Sequence, residues 1–365
     1  MRKLLFLSAI ASLVLFACSQ DAPPDVIPPE VIPPVLIDTT AMLPVAANVY
    51  IAGDTIHPTP WANEYAVYWN NGRKISLPND TVSSANGVAL EDTNVYMSAR
   101  GVEANKITFW KNGKGIQLID DNLTNPVSVA ITTAGKDVYT LGIAYTGGVE
   151  KKVPVYWKNQ EKAVVITGPT NSEACDITVS GNDIYISGNA EGGFNSGYEY
   201  LAPCYWKNGS KVVLPSPVPF TGVPTMYTGL ARSIRVTGSD IHIAGDVSLN
   251  AGFGPGWGVY WKNGVPVQLT ATVHSSAKSI AVVGNDVYIA GEIQDNNRQP
   301  HAAYWKNGVA VILEPNFNSS ANAIAIEGNN VHVVGRRNLD QILYWKNGVA
   351  TVLGRGRANA IAIRK

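Results

Sequence analysis

Tyr304-Trp305-Lys306-Asn307-Gly308 decides the reading of this chain, because the stretch recurs seven times. The other copies carry their tryptophans at Trp69, Trp110, Trp157, Trp206, Trp261 and Trp345, at spacings of 40 to 55 residues. That is the period of one four-stranded antiparallel unit. Two aromatic residues followed by Asn-Gly read as a strand running into a type I′ hairpin turn, in which both turn residues need positive φ. Phe109 replaces the tyrosine in one copy. Another ends in Gln160, which should strain or lengthen its turn.

Working outward, the clearest unit runs from Ala277 to Leu313. Ala277–Val282 reads as a first strand, Gly284-Asn285 as a two-residue turn and Asp286–Gly291 as a second strand. Ala302–Trp305 forms the third, and Asn307-Gly308 turns it into a fourth from Val309 to Leu313. First strands recur at Ala85–Leu90, Pro126–Ile131, Ala174–Val179, Ala231–Val236, Ala321–Ile326 and Ala358–Ile363. Second strands recur at Val49–Ile51, Val95–Met97, Val138–Thr140, Ile184–Ile186, Ile241–Ile243 and Val331–Val333. Seven copies of four strands predict 28 strands.

The phase of the termini shapes the prediction further. The repeats open on a second strand, Val49–Ile51, with no first strand before it. They close on a first strand, Ala358–Ile363, with no second strand after it. Joining the two removes the exposed edges an open array would carry. The sequence therefore predicts an all-β fold over residues 43–365: a seven-bladed β-propeller, four antiparallel strands per blade, its ring closed by the C-terminal strand joining the N-terminal blade. Simple alternation places Ala277, Ser279 and Ala281 on one face, with Tyr288 opposite Ala281 and Ile280 opposite Ile289. The repeat tryptophans read as packing between blades. The pattern resembles the broad propeller class that includes kelch and NHL repeats, without a WD dipeptide or a recurring kelch glycine pair. It is also similar to repeats in bacterial secreted and lipid-anchored proteins. The resemblance implies an architecture and no particular activity.

The first 42 residues are of another kind. Arg2 and Lys3 precede an apolar run from Leu4 to Ala17, a signal peptide over residues 1–17 that is short for a membrane span. Leu15-Phe16-Ala17-Cys18 resembles the lipobox of bacterial lipoproteins, which implies a lipidated Cys18 as mature N-terminus. Ser19 after it implies the outer membrane of a Gram-negative cell. Residues 18–42 carry Pro23-Pro24, Pro28-Pro29 and Pro33-Pro34, a paired-proline repeat that predicts an extended tether reaching roughly 70 Å. A proline-motif ligand is the alternative use of that segment.

Net charge is zero and charged residues are only 15% of the chain, which argues against nucleic acid as a partner. Nothing matches a phosphate-binding loop, a zinc motif or a nucleophile elbow, so no catalytic residue, metal or cofactor is assigned. His242 and His332 stand where other repeats have a tyrosine and read as buried rings with satisfied tips. Cys175 and Cys204 fall on non-adjacent strands of one unit, too far apart for a disulfide, and read as free thiols.

First-to-second and third-to-fourth turns are minimal, whereas connections at the opposite end are long: Asp54–Tyr65, Asn189–Pro203, Asp246–Trp257, Glu292–His301 and Pro215–Leu230. Loops held by a rigid scaffold are where binding residues gather. The candidates there are Trp61, His57, Glu64, Arg100, Tyr198, Tyr200, Asp246, Trp257, Glu292, Arg298, His301 and Arg336. Aromatic residues in this set could equally fold back over the blade ends. The expectation is a monomeric, lipid-anchored extracytoplasmic module that binds a glycan, peptide or envelope protein through its long-loop face. Alternatives are a polysaccharide hydrolase or lyase with its site at the channel mouth, and a structural envelope protein.

Overall fold

The computed structural model describes residues 48–55, 65–77, 82–101, 106–146, 152–166, 171–195, 198–217, 227–249, 256–271 and 273–364. The signal peptide, Cys18 and the tether lie outside them, as do Trp61, His57 and Glu64. Among the described residues all the elements are strands, running in chain order. The first sheet segment holds β1 (Val49–Thr55), β2 (Tyr65–Asn70) and β3 (Arg73–Ser76). Next come β4 (Val82–Glu91), β5 (Asn94–Gly101), β6 (Lys106–Lys111) and β7 (Lys114–Ile119). They are followed by β8 (Leu123–Ala134), β9 (Asp137–Thr146), β10 (Lys152–Lys158) and β11 (Val164–Val165). The fourth group is β12 (Ser172–Ser180), β13 (Asp183–Asn195), β14 (Tyr198–Lys207) and β15 (Ser210–Val213). The fifth is β16 (Tyr227–Thr237), β17 (Asp240–Leu249), β18 (Gly256–Lys262) and β19 (Val265–Gln268). Then come β20 (Ser275–Val283), β21 (Asp286–Gln294), β22 (Pro300–Lys306) and β23 (Val309–Ile312). The last are β24 (Ser319–Glu327), β25 (Asn330–Arg337), β26 (Gln341–Lys346) and β27 (Val349–Ile363).

Five sheets have four strands each and the sixth has seven, in the order β24-β25-β26-β27-β1-β2-β3. Strand β27 serves twice, pairing with β26 over Val349–Arg355 and with β1 over Gly356–Ile363. The 28 expected strands therefore appear as 27 elements, the last fourth strand running straight into the first strand of the N-terminal unit. The handover uses Gly354 and Gly356 at φ 135° and 137°, a region other residues rarely enter.

The recurring pentapeptide acts as a staple. Asn307 and Gly308 take φ of 51° and 85°, as a type I′ turn requires. From there the Asn307 side chain reaches across to the second strand: Oδ1 accepts from the Val287 backbone N–H at 2.8 Å, and Nδ2 donates to Asp286 Oδ1 at 2.8 Å. Asn159, Asn208 and Asn263 repeat both bonds in their units. Lys306 completes the corner, 3.2 Å from Asp286 and 5.3 Å from the Tyr288 ring centroid. The first copy has Asn70 instead of lysine, and there Arg364 from beyond β27 lies 5.0 Å from the Tyr50 ring. Gln160 lengthens its turn as expected, since β10 ends at Lys158 and β11 starts only at Val164.

All seven repeat tryptophans are buried, none more than 3% exposed. Each shares an apolar cluster with the preceding unit: Trp305 with Ala244 and Leu269, Trp345 with Tyr288 and Leu313, Trp110 with Ala52 and Leu77. Trp69 of the first copy packs with Val334, Ile342 and Tyr344 of the last. Packing between units is thus their role.

One local expectation is corrected. Ile280 does pair with Ile289 and Ala281 with Tyr288, but the register slips between Ala277 and Ser279, leaving Lys278 as an extra, bulged residue. The same slip makes bulges of Asn86, Val129, Cys175, Arg232, Asn322 and Asn359. Simple alternation fails there because two residues face one. The bulge pushes the first strand onto its neighbour. A Cβ on Gly291 would stand 1.8 Å from the Ser276 carbonyl oxygen, and Gly188 and Gly335 meet Glu173 and Ser320 in the same way at 1.8 and 1.9 Å. Gly291→Ala should accordingly cost about 3 kcal/mol or more by overpacking. Gly284→Ala, at φ 59° with open space around it, should cost only about 1–2 kcal/mol from its left-handed backbone. Urea unfolding of both variants checks the order, and a milder effect at Gly291 would refute the crowding argument.

Candidate functional site

The bulges converge. Asn86, Val129, Cys175, Arg232, Lys278, Asn322 and Asn359, each from the first strand of a different unit, line one cavity of about 180 Å³. Hydrogen bonds between neighbouring first strands hold this collar. The side-chain amides of Asn86, Asn322 and Asn359 donate to the carbonyls of Ser128, Ala358 and Ala85 at 3.3, 2.9 and 3.0 Å. The residue after the bulge adds a second link. Asp176 accepts from the Ile234 N–H at 3.1 Å, Ser233 from Ile280 at 3.3 Å and Ser279 from Ile324 at 3.4 Å. Arg235 closes on Asp176 at 2.6 Å.

A wider cavity of about 630 Å³ opens from the collar toward the end of the molecule that carries the long connections. Asn86, Val129, Cys175, Arg232 and Lys278 belong to both spaces, and Arg100, Tyr145, Lys152 and Glu173 line only the outer one. Carboxylates at this end are engaged. Asp246 accepts a short bond from Arg232 Nε and, through Oδ1, the Ala277 N–H at 2.9 Å. Glu292 takes Lys278 at 2.7 Å, Glu173 takes Lys152 at 3.4 Å, and buried Asp54 takes Arg357 at 3.2 Å and the Ser84 hydroxyl at 2.7 Å. Burial works against the charge of Arg232, but the charge and hydrogen bond of Asp246, together with Cys175 and Glu292, leave the guanidinium pKa above its ordinary value.

The residues singled out from sequence divide among these surroundings. Arg100 lines the outer cavity, and Asp246 and Glu292 stand directly behind collar cations. Several supposed loop residues sit in strand extensions instead, because pairing continues past the expected ends: Asp246 opposite Gly258, Trp257 opposite Val247, Glu292 opposite Ala302, and His301 opposite Ile293. Trp257 packs half-buried against the cluster around Val247 and Val259. His301 is a turn lock, its Nδ1 within 3.0 Å of the Glu314 carbonyl and its Nε2 3.5 Å from Asp295. Arg298 is the exposed φ 63° corner of the turn that Asp295 caps. Arg336 pairs with Ser320 and Ile342 in β25, next to Arg337, which makes two bonds to buried Glu314 at 2.7 and 3.1 Å. Tyr198 and Tyr200 lie on β14, and their side chains fall outside the described set. Sequence reasoning missed the collar residues themselves. A signal was present, since a residue unlike its neighbours recurs in the frame Ala-x-small-Ile, as Arg232 and Lys278 do.

Cys175 is half-buried in the collar and Cys204 is buried, both as free thiols. Burial pushes each up to about 12, which leaves them poor nucleophiles. Among the described residues no group of His, Cys, Asp or Glu is placed to hold a metal ion.

His242 and His332 are buried and bonded through Nδ1 to the hydroxyls of Tyr260 and Tyr344, both at 2.7 Å. Burial, reinforced by Lys346, lowers His332 to about 4. An unfolded histidine titrates near 6.5, so between about pH 6.5 and 4 the unfolded chain holds a proton that the folded chain refuses. Stability therefore falls as pH falls through that window. Between about pH 7 and 4.5, His332→Tyr, the residue most other repeats carry, should lose about 2 kcal/mol less than the parent protein. Urea midpoints at the two pH values measure the difference, and parallel losses would contradict the assignment.

Compared with known proteins, the chain matches no protein-family model and no curated protein. It is similar in structure to a puromycin hydrolase, with 8% identity over 86% of this chain and 53% of that one at a TM-score of 0.55. It is similar also to a puromycin-hydrolyzing peptidase of Mycobacterium tuberculosis, with 10% identity over 90% of this chain and 56% of that one at a TM-score of 0.52. The chain spans little more than half the length of either. These neighbours are propeller-type proteins, and the likeness puts the fold in that broad class.

Proposed function

We propose that the chain is a lipid-anchored, extracytoplasmic binding module built on seven blades closed into one ring, with its ligand site at the mouth of the central channel. Three features support the ring. Strand β27 pairs with β1, Trp69 packs on the last unit as every other tryptophan packs on the unit before it, and all units contribute to one collar. Residues 1–42 support the anchor through the apolar run, the lipobox-like Cys18 and the proline-rich tether, and they suggest the outer membrane of a Gram-negative cell.

The observation that carries the binding reading is the outer cavity. Its volume of about 630 Å³ falls within the range of small-molecule sites, and it combines Tyr145, Val127 and Ile143 with charged groups. Its lining carboxylate, Glu173, and the acids behind its cations, Asp246 and Glu292, serve as ion-pair partners, which favours holding a ligand over moving protons. A glycan end or a short peptide matches this mixture of an apolar wall and dense hydrogen-bonding groups. In glycan and peptide panels probed with the full-length protein in detergent, Tyr145→Ala and Lys152→Ala should weaken binding about tenfold or more. Val265→Ser, on an exposed outer strand, should leave it unchanged. Binding unaffected by either mouth variant would overturn the site. The anchor has a separate test: Cys18→Ser should abolish metabolic labelling with a fatty acid, and persistent labelling would exclude Cys18.

A further inference from the structure

The charges of the mouth are not evenly arranged. Arg232 and Lys278 hold equivalent bulge positions on the neighbouring strands β16 and β20, and both line the collar and the outer cavity. Their carboxylate partners, Asp246 and Glu292, come from the second strands β17 and β21 and line neither space. The cations thus face the opening with the acids behind them. Asp246 engages Arg232 through Nε, and the Arg232 side chain remains 39% exposed. Lys278 is fixed more tightly, between Glu292 at 2.7 Å and the Ser320 hydroxyl at 2.6 Å. Farther out, Arg100 and Lys152 continue the positive line to the rim, and Glu173 is the carboxylate among the cavity's lining residues. In a chain of zero net charge, this excess is a matter of placement.

A guanidinium held through Nε still presents a planar edge of donors, the geometry that suits a carboxylate. The apolar wall of Tyr145, Val127 and Ile143 in the same cavity suits the face of a sugar ring. Resting on the reading of the mouth as the binding site, we propose that its ligand is an acidic saccharide, the carboxylate of which seats against Arg232 and Lys278 while the ring lies toward Tyr145. Paired acids behind the cations would hold both side chains in place before the ligand arrives, limiting the ordering cost of binding.

The test uses the full-length protein with oligogalacturonate and oligoglucuronate, each compared with its carboxyl-reduced neutral counterpart by calorimetry. The acidic forms should bind, carboxyl reduction should weaken binding at least about tenfold, and raising salt from about 50 to 300 mM should weaken the acidic forms alone. Lys278→Gln and the pair Arg232→Gln with Asp246→Asn should each cost a similar factor, the second change in the pair avoiding an uncompensated carboxylate. Carboxyl reduction and salt need no variant, so the outcome stands even if one fails to fold. Equal binding of acidic and reduced forms would overturn the charge inference while leaving the mouth as the site. So would binding of only neutral glycans or peptides with dependence on Tyr145. Loss of all Tyr145-dependent binding would remove both.

Discussion

The constraint on which most of this structure depends is one extra residue in each first strand. A bulge forces two residues to face one, which bends the strand and drives its backbone toward the strand beside it. In five of the units this leaves less than about 2.2 Å between the neighbouring carbonyl and any Cβ, and each of these units has a glycine there: Gly53, Gly188, Gly245, Gly291 and Gly335. Polar or charged groups at most bulges reach the shared cavity, where an unbulged apolar strand would have buried them between sheets. The glycine near the end of the second strand and the polar residue inside an apolar first strand are consequences of the same event.

The second organising interaction is the asparagine staple. A type I′ turn needs only positive φ, which glycine supplies at less steric cost, so asparagine at its first position calls for another reason. Asn307 gives one, since its side chain satisfies the Val287 N–H at the start of the second strand and fixes the carboxylate of Asp286. That carboxylate holds Lys306, which lies over Tyr288. Five residues therefore lock three strands at the short-turn end. The Arg364–Tyr50 contact shows that a cation from elsewhere in the chain can take the place of the pentapeptide's lysine over the ring.

These two devices explain what could be read from the sequence. Strand order, turn positions, the pairing of Ile280 with Ile289 and the burial of the tryptophans followed from periodicity and turn chemistry, which are local. The collar did not follow, because its signal, one residue out of character in the frame Ala-x-small-Ile, does not show which way that residue faces until the register is known. Expected loops such as Glu292–His301 failed for a related reason: polar residues near a hairpin end keep pairing when the partner strand is long enough, as Glu292 does with Ala302. Free cysteines and buried histidines were legible because strand order alone settled the first and the repeat's tyrosine the second.

Repetition and bulge together account for where variation is tolerated. Positions that pack between units are held to one residue type or its close relatives: tryptophan on the third strand, tyrosine or histidine on the second. A bulged side chain is released from that packing, so its identity can change from Asn86 to Val129 to Cys175 to Arg232 without disturbing the framework. Charge at such a position still has to be compensated, and the second strand of the same unit supplies the partner close to the crowded glycine, as Asp246 does beside Gly245 and Glu292 beside Gly291. In both units the glycine opposite the bulge is followed directly by the acid that steadies the bulged cation. The crowding that forbids a side chain at the glycine brings the two strands together at the point where that acid is needed. A repeat built this way can tune the chemistry of the shared cavity one unit at a time, at the end of the molecule where its connections also differ.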